Sequence, residues 1–237
     1  MLIKQEKYGA DFGPAGSSQQ PAEEIKRPVA PRQLLRSHFP SWDKKIKTKE
    51  NAIMKVEDAI LKRESIRAYL DKPVSSEDVE KIVEAGRWAP NAGPFHISVV
   101  RNAELLKKLN DRAYNEMINS GNEFLKQRAA LPGYQPLYGA PAAIILSGPD
   151  KAPFTVHNTM LAAENMLLQA TGLGLGSCFL FTITRALNGE ENRDLAQEAG
   201  IPPDFSAQCG LALGYAAPEN KFSMAERAMK GSVNYVD

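Results

Sequence analysis

The chain has little of what most side-chain chemistries require. Two cysteines occur in 237 residues, Cys178 and Cys209; both sit in apolar runs that read as strands, and no CxxC spacing is present for metal or redox work. That usage fits a reduced, cytoplasmic setting. The three histidines, His38, His96 and His157, have no ligand partners at useful spacing, and there is no GxSxG elbow, no HExxH and no GxxxxGK[ST] loop. No metal and no catalytic nucleophile are therefore expected. Charge of one sign is also missing: 29 Lys and Arg stand against 28 Asp and Glu, a formal net charge of +1. Such a balance creates no global field for nucleic acid or an anionic membrane, so any anion site must be local. No apolar run approaches the ~20 residues of a membrane span, and the opening MLIKQEKYGADFGPAG has no apolar core of signal-peptide length.

With 43% apolar residues the chain can bury one full-sized α/β or α+β core plus an appendage. The appendage is residues 1–50, a polar arm with five prolines and no apolar period; residues 51–237 carry the domain. Ile53, Val56 and Ile60 share one helical face, and that helix should end near Lys62 to Glu64, ahead of Pro73. Ser75 and Asp78 form a capping pair for a second helix, whose stripe Val79, Ile82 and Val83 runs to Trp88. Strands are expected at Ile97–Val100, Ala142–Gly148, Gly176–Phe181 and Cys209–Tyr215. Helices are expected over 103–130, 155–171 and 190–199, with a loop from Gly133 to Pro141. Helices between isolated strands imply a sheet covered on both faces.

Three stretches bear on chemistry. In Arg63-Glu64-Ser65-Ile66-Arg67, two guanidiniums flank a hydroxyl. An extended backbone puts all three on one side, a set of charge-assisted donors suited to a phosphate monoester. Trp88-Ala89-Pro90-Asn91-Ala92-Gly93-Pro94-Phe95-His96 is a rigid turn of small residues that a planar ring can approach closely. Gly172, Gly174 and Gly176 follow a buried helix and precede a strand. That order is the reverse of a dinucleotide fingerprint and assigns the glycines to helix termination and tight packing. Solvated charge, an ordinary connection and a plain buried strand are the competing readings of these stretches taken singly.

Taken together, RESIRAYLDKPV, a capped helix ending in tryptophan, APNAG and the ATGLGLGSCFLF run resemble the nitroreductase family over residues from about 53 to the C-terminus. That family has an RxSxR-like clamp, an APSxGNxQPW turn and a GLGSCWIG segment. The resemblance implies an α+β, three-layer α/β/α fold with a mostly antiparallel sheet and domain-swapped termini, and FMN held at a homodimer interface. By position it carries Arg63, Ser65 and Arg67 to the FMN phosphate, and Pro90, Asn91 and Ala92 against the flavin with His96 beside them. Leu180, Phe181 and Thr182 fall near the redox-active N5, and Lys221 and Arg227 are the basic residues that return to the phosphate before a final short strand. Pro94, His96, Phe181 and Thr182 depart from the pattern. The implied activity is hydride transfer from NAD(P)H through FMN to a small electron-poor acceptor, a nitroaromatic or a quinone. A non-catalytic FMN-storing or sensing module and a variant reaction such as reductive dehalogenation are the alternatives. Residues 110–138 read as a lid, with Tyr114, Phe124, Tyr134 and Tyr138 as candidates to line it, and His157 reads as structural.

Overall fold

The computed structural model describes residues 54–219 and 230–236. The arm at 1–50, His38, Lys221 and Arg227 lie outside the described residues.

Helix α1 (Val56–Lys62) leads into an extended stretch and then α2 (Ser76–Arg87). The expected cap forms: Ser75 Oγ accepts from Asp78 N at 3.1 Å and donates to the Asp78 carboxylate at 2.7 Å. Strand β1 (His96–Val100) follows, then α3 (Ala103–Ile118), α4 (Glu123–Ala129), β2 (Ala142–Pro149), α5 (Thr155–Gly172) and β3 (Gly176–Leu180). A short α6 (Ile183–Leu187), a 3-10 turn (Glu190–Asn192), α7 (Arg193–Glu198) and β4 (Phe205–Gly214) complete the order. The strands lie in the order β1-β2-β4-β3, and each adjacent pair is antiparallel.

Alternation along the strands sends side chains into two cores. Ile144, Leu146, Cys209, Leu211 and Leu213 meet α2 and α5 on one face; Ala143, Ile145, Cys178, Leu180 and Ala212 meet α3 and α6 on the other. A β-bulge keeps this partition: Leu146 pairs Cys209 while Ser147 pairs Ala207, which leaves Gln208 without a partner in the ladder. Ala207 thereby joins the α3 side although Cys209, two residues on, joins the α5 side. The result is the three-layer α+β arrangement expected from the sequence.

Several boundaries differ from expectation. The single helix over 103–130 is two helices. Ser120 Oγ donates back to Met117 O at 2.8 Å, Gly121 follows, and Asn122 caps α4 by accepting from Leu125 N at 3.2 Å. Helix α6 is unforeseen, β3 ends one residue early at Leu180, and β4 begins at Phe205 rather than Cys209. Helix α1 buries Ala59, whereas Val56 is 70% and Ile60 45% exposed, so its apolar stripe has no cover within the described chain. His157 is exposed in the first turn of α5, its ring 6.1 Å from Phe154. No strand forms over 230–236, where Val233, Tyr235 and Val236 are exposed.

Gly174 and Gly176 carry the join between α5 and β3. Gly174 takes φ +74°, the left-handed conformation that ends the helix, and Leu175 N reaches back to Ala170 O at 2.9 Å. A Cβ at Gly176 would stand 2.9 Å from Ile66 Cγ1 and 3.0 Å from Cγ2. Ile66 is β-branched and stiff, so Gly176→Ala should lower stability by about 1–3 kcal/mol, as overpacking does. Urea unfolding checks this, and an unchanged midpoint would show that Ile66 yields freely.

Candidate functional site

The stretch after α1 becomes an edge partner of β3. Ile66 N donates to Ser177 O at 2.9 Å, and Ser65 and Ser177 form a parallel bridge. Farther along, Leu70 N donates to Tyr215 O and Ala217 N to Ala68 O, both at 2.9 Å, and Tyr69 bridges Ala216. The Tyr69 hydroxyl staples the segment internally, donating to Ile66 O at 2.8 Å with Ala212 O a second acceptor at 3.4 Å. Burial holds the Tyr69 phenol well above its usual range, Cys178 and Tyr138 add to the shift and Arg67 opposes it. The staple is thus a neutral donor throughout the physiological range.

The three residues expected to share one side fan out instead. Arg63, the C-cap of α1, leans toward α5, with Nε 3.8 Å from Glu164 Oε1. Arg67 leans to the opposite face of the sheet: Nη1 reaches Ser65 O at 3.4 Å, and its guanidinium stands 5.9 Å from the Tyr138 ring centroid. Ser65 lies between them, bridged to Ser177, and the neighbouring Cys178 thiol donates to Phe179 O at 3.6 Å. Burial raises that thiol, against the lowering influence of Arg67, Ser65, Arg128 and Arg63. Three guanidiniums therefore act on one spot beneath the β3 edge. Arg128, from α4, is the one that sequence reasoning missed. Tyr138, whose ring stands near Arg67, lies too far from the motif in sequence to be read with it.

The C-terminal end of β3 continues this edge. Leu180 is buried, and Phe181 and Thr182 form the turn into α6, where Phe181 O accepts from Thr184 N at 3.2 Å and Thr184 Oγ1 at 2.8 Å. The Phe181 ring is 63% exposed.

The small-residue turn is built elsewhere. Trp88 caps α2, Asn91 Nδ2 donates to Ala89 O at 3.3 Å, and Pro90, Asn91 and Ala92 are exposed. Buried Asn158 on α5 holds the turn from below, accepting from Ala92 N at 3.0 Å and donating to Gly93 O at 3.4 Å. His96 opens β1 opposite Ser147, in the alternation that Ser98 and Val100 continue toward α3. With Ser98 and Gly200 it lines a cleft of ≈340 Å³ between β1 and α7.

Turn and arginine segment thus belong to opposite edges of the sheet, four strand spacings or roughly 19 Å apart. Three larger clefts lie elsewhere: one of ≈560 Å³ near Asn188 and Phe205, one of ≈570 Å³ near Arg101 and Leu137, and one of ≈520 Å³ near Lys108 and Leu195. None of the expected site residues lines any of them. Of the proposed lid aromatics, Tyr134 is buried, Tyr114 and Tyr138 are half-buried and Phe124 is 58% exposed. Among the described residues no group of His, Cys, Asp and Glu could hold a metal ion, and no helix is long and apolar enough to cross a membrane.

Residues 60–215 match the model of the nitroreductase family. A protein of Archaeoglobus fulgidus, named as an NADH dehydrogenase/NAD(P)H nitroreductase, is 34% identical over 175 residues, 70% of this chain and 88% of its own. A Bacteroides fragilis nitroreductase solved with bound FMN is 30% identical with a TM-score of 0.69, over 78% of this chain and all of that one. A Desulfitobacterium hafniense nitroreductase solved with bound FMN has the same fold, with a TM-score of 0.70 at 22% identity over 78% of this chain and all of that one. An antiparallel sheet between two helical layers is the fold that the solved neighbours share with the chain. The chain belongs to the nitroreductase family.

Asn158→Ala should lower the unfolding free energy by about 1–3 kcal/mol, because it strands backbone groups of the turn that are satisfied from a buried amide. Chemical denaturation measures this. A loss under about 0.5 kcal/mol, the scatter of ordinary surface changes, would show that the turn holds itself.

Proposed function

We propose that the chain is an FMN-dependent oxidoreductase that takes hydride from NADH or NADPH and reduces a small electron-poor acceptor, a nitroaromatic or a quinone. The observation that carries this reading is the extended segment on the free edge of β3. It runs alongside the strand that ends at Leu180, with Arg63 leaving it toward α5, Arg67 toward Tyr138 and Ser65 between them. The segment fits a flavin phosphate because its backbone is fixed by β3, which leaves guanidinium and hydroxyl donors to meet an anion. The names of the Archaeoglobus fulgidus relative and the FMN-bound Bacteroides fragilis neighbour point to the same donor and cofactor.

FMN, when bound, supplies the hydride chemistry at N5; the protein binds it, orients it and tunes it. Arg63, Ser65 and Arg67 hold the phosphate end, with Lys221 and Arg227 completing the charge balance. Backbone groups at Leu180, Phe181 and Thr182 border the ring. Pro90, Asn91 and Ala92 form the opposing wall, with His96 at its margin. Because that wall lies across the sheet from the arginines, the wall closing one FMN comes from a second copy of the chain. Val56, Leu61, Trp88 and Phe181, 63–77% exposed, are the apolar surface such a partner would cover. The domain is residues 51–237, with 1–50 an added arm, and the homodimer works in the cytoplasm.

The test is spectroscopic. Purified protein should be yellow, bleach anaerobically with NADH or NADPH, and recover its colour with a quinone or nitroarene. Replacing Arg63 and Arg67 together with alanine should strip the flavin while leaving the far-UV circular dichroism unchanged; FMN retained at the native level would remove both from the phosphate site. A protein that stays colourless after soaking with FMN and sediments as one subunit would end the proposal.

A further inference from the structure

Tyr138 ties the arginine segment to the helices on the α3 side of the sheet. One side of the tie is Arg67, 5.9 Å from the centroid of its ring. The other is Arg128 in the last turn of α4, whose Nη2 donates to the Tyr138 hydroxyl at 3.2 Å. Arg128 also stands 5.2 Å from the Tyr134 ring centroid, and the two tyrosine rings meet edge to face at 5.8 Å. Tyr134 in turn reaches Met117 Sδ on α3 at 4.0 Å. A continuous run of contacts therefore leads from Arg67 into both α4 and α3.

Two features mark this run as more than packing. Tyr138 has φ +56°, a left-handed conformation disfavoured for a residue with a Cβ. Buried Leu137 and Ala140 pin the chain on either side, and Tyr138 N donates to Gln135 O at 3.0 Å. The fold holds the ring in one place at some cost. The second feature is charge. Arg67 and Arg128 bring like charges to one tyrosine, and Arg128 meets two phenols and no carboxylate among the described residues.

We propose that Tyr138 is a positioning residue: its ring steadies the Arg67 guanidinium, and its hydroxyl, through Arg128, makes the order of α4 depend on whether FMN is bound. This rests on residues 63–67 being the FMN segment. By linkage the effect is reciprocal, so what loosens α4 also loosens the cofactor.

Amide hydrogen exchange on the full-length protein, with and without FMN, tests the coupling. In the wild type, FMN should slow exchange across residues 123–129. Tyr138→Phe and Arg128→Gln cut the tie from its two ends and should abolish most of that FMN-dependent protection and, by the same linkage, weaken FMN binding by the matching factor. Tyr138→Ala also removes the ring under Arg67 and should weaken FMN binding by about 3- to 10-fold. A purely structural tyrosine would lower the melting temperature and leave the difference between FMN-free and FMN-bound exchange intact. Absence of the α4 response in a wild type that binds FMN, or its survival in both Tyr138→Phe and Arg128→Gln, overturns this inference alone. A wild type that binds no FMN overturns it together with the proposed function.

Discussion

The hydrogen bond from Ile66 N to Ser177 O fixes where the chain presents its arginines. A sheet edge offers a row of unsatisfied backbone donors and acceptors, and something must cover it or water will. Here β3 is covered by the stretch that follows α1, which fits because Gly176 leaves room for the Ile66 side chain. Once that backbone is pinned, Arg63 and Arg67 have little freedom in where they leave the chain. Tyr69, Leu70 and Ala68 extend the same seam to the residues beyond β4, so the segment is closed along its length and not at one point. A flexible loop carrying the same three side chains would have to surrender conformational entropy each time it met an anion; this one has done so during folding.

The other half of the candidate site depends on α5. Its buried face closes the core over β2 and β4, while single polar positions along it reach outward: Asn158 to the small-residue turn, Asn165 Nδ2 to Ala85 O at 3.1 Å, and Glu164 toward Arg63. One helix thus references α2, the turn and the arginine segment to a common axis. From Asn158 to Glu164 the axial rise is about 9 Å.

Much of this was legible in the amino-acid sequence, because the strongest signals are local. The Ser75 cap, the stripe of α2, the apolar runs of β1 and β2, and the glycines after α5 each specify their element from neighbouring residues. The resemblance to nitroreductases supplied the ordering of the layers. Hidden were features whose cause is tertiary. Ser120 and Gly121 are compatible with a continuing helix until Asn122 finds Leu125 N to cap. Ile183–Leu187 is helical because Phe181 O and Thr182 O accept its first bonds. Arg128 looks like a surface residue of a polar region, and only the folded chain shows it reaching Tyr138, whose ring stands 5.9 Å from Arg67. The fan of Arg63 and Arg67 to different faces could not be read either, since strict alternation assumes a regular strand and this segment is held by isolated bridges.

The bulge at Gln208 makes β4 two strands spliced one residue out of phase. Removing that half-buried glutamine would turn Phe205 and Ala207 through to the other layer and deprive Asn188 of both partners, Ala207 N and O, each at 2.9 Å. Exchanging it for another polar residue leaves the phase untouched. Length is therefore guarded at this position far more strictly than identity, and the loop that includes Asn188 inherits its anchorage from a count of residues.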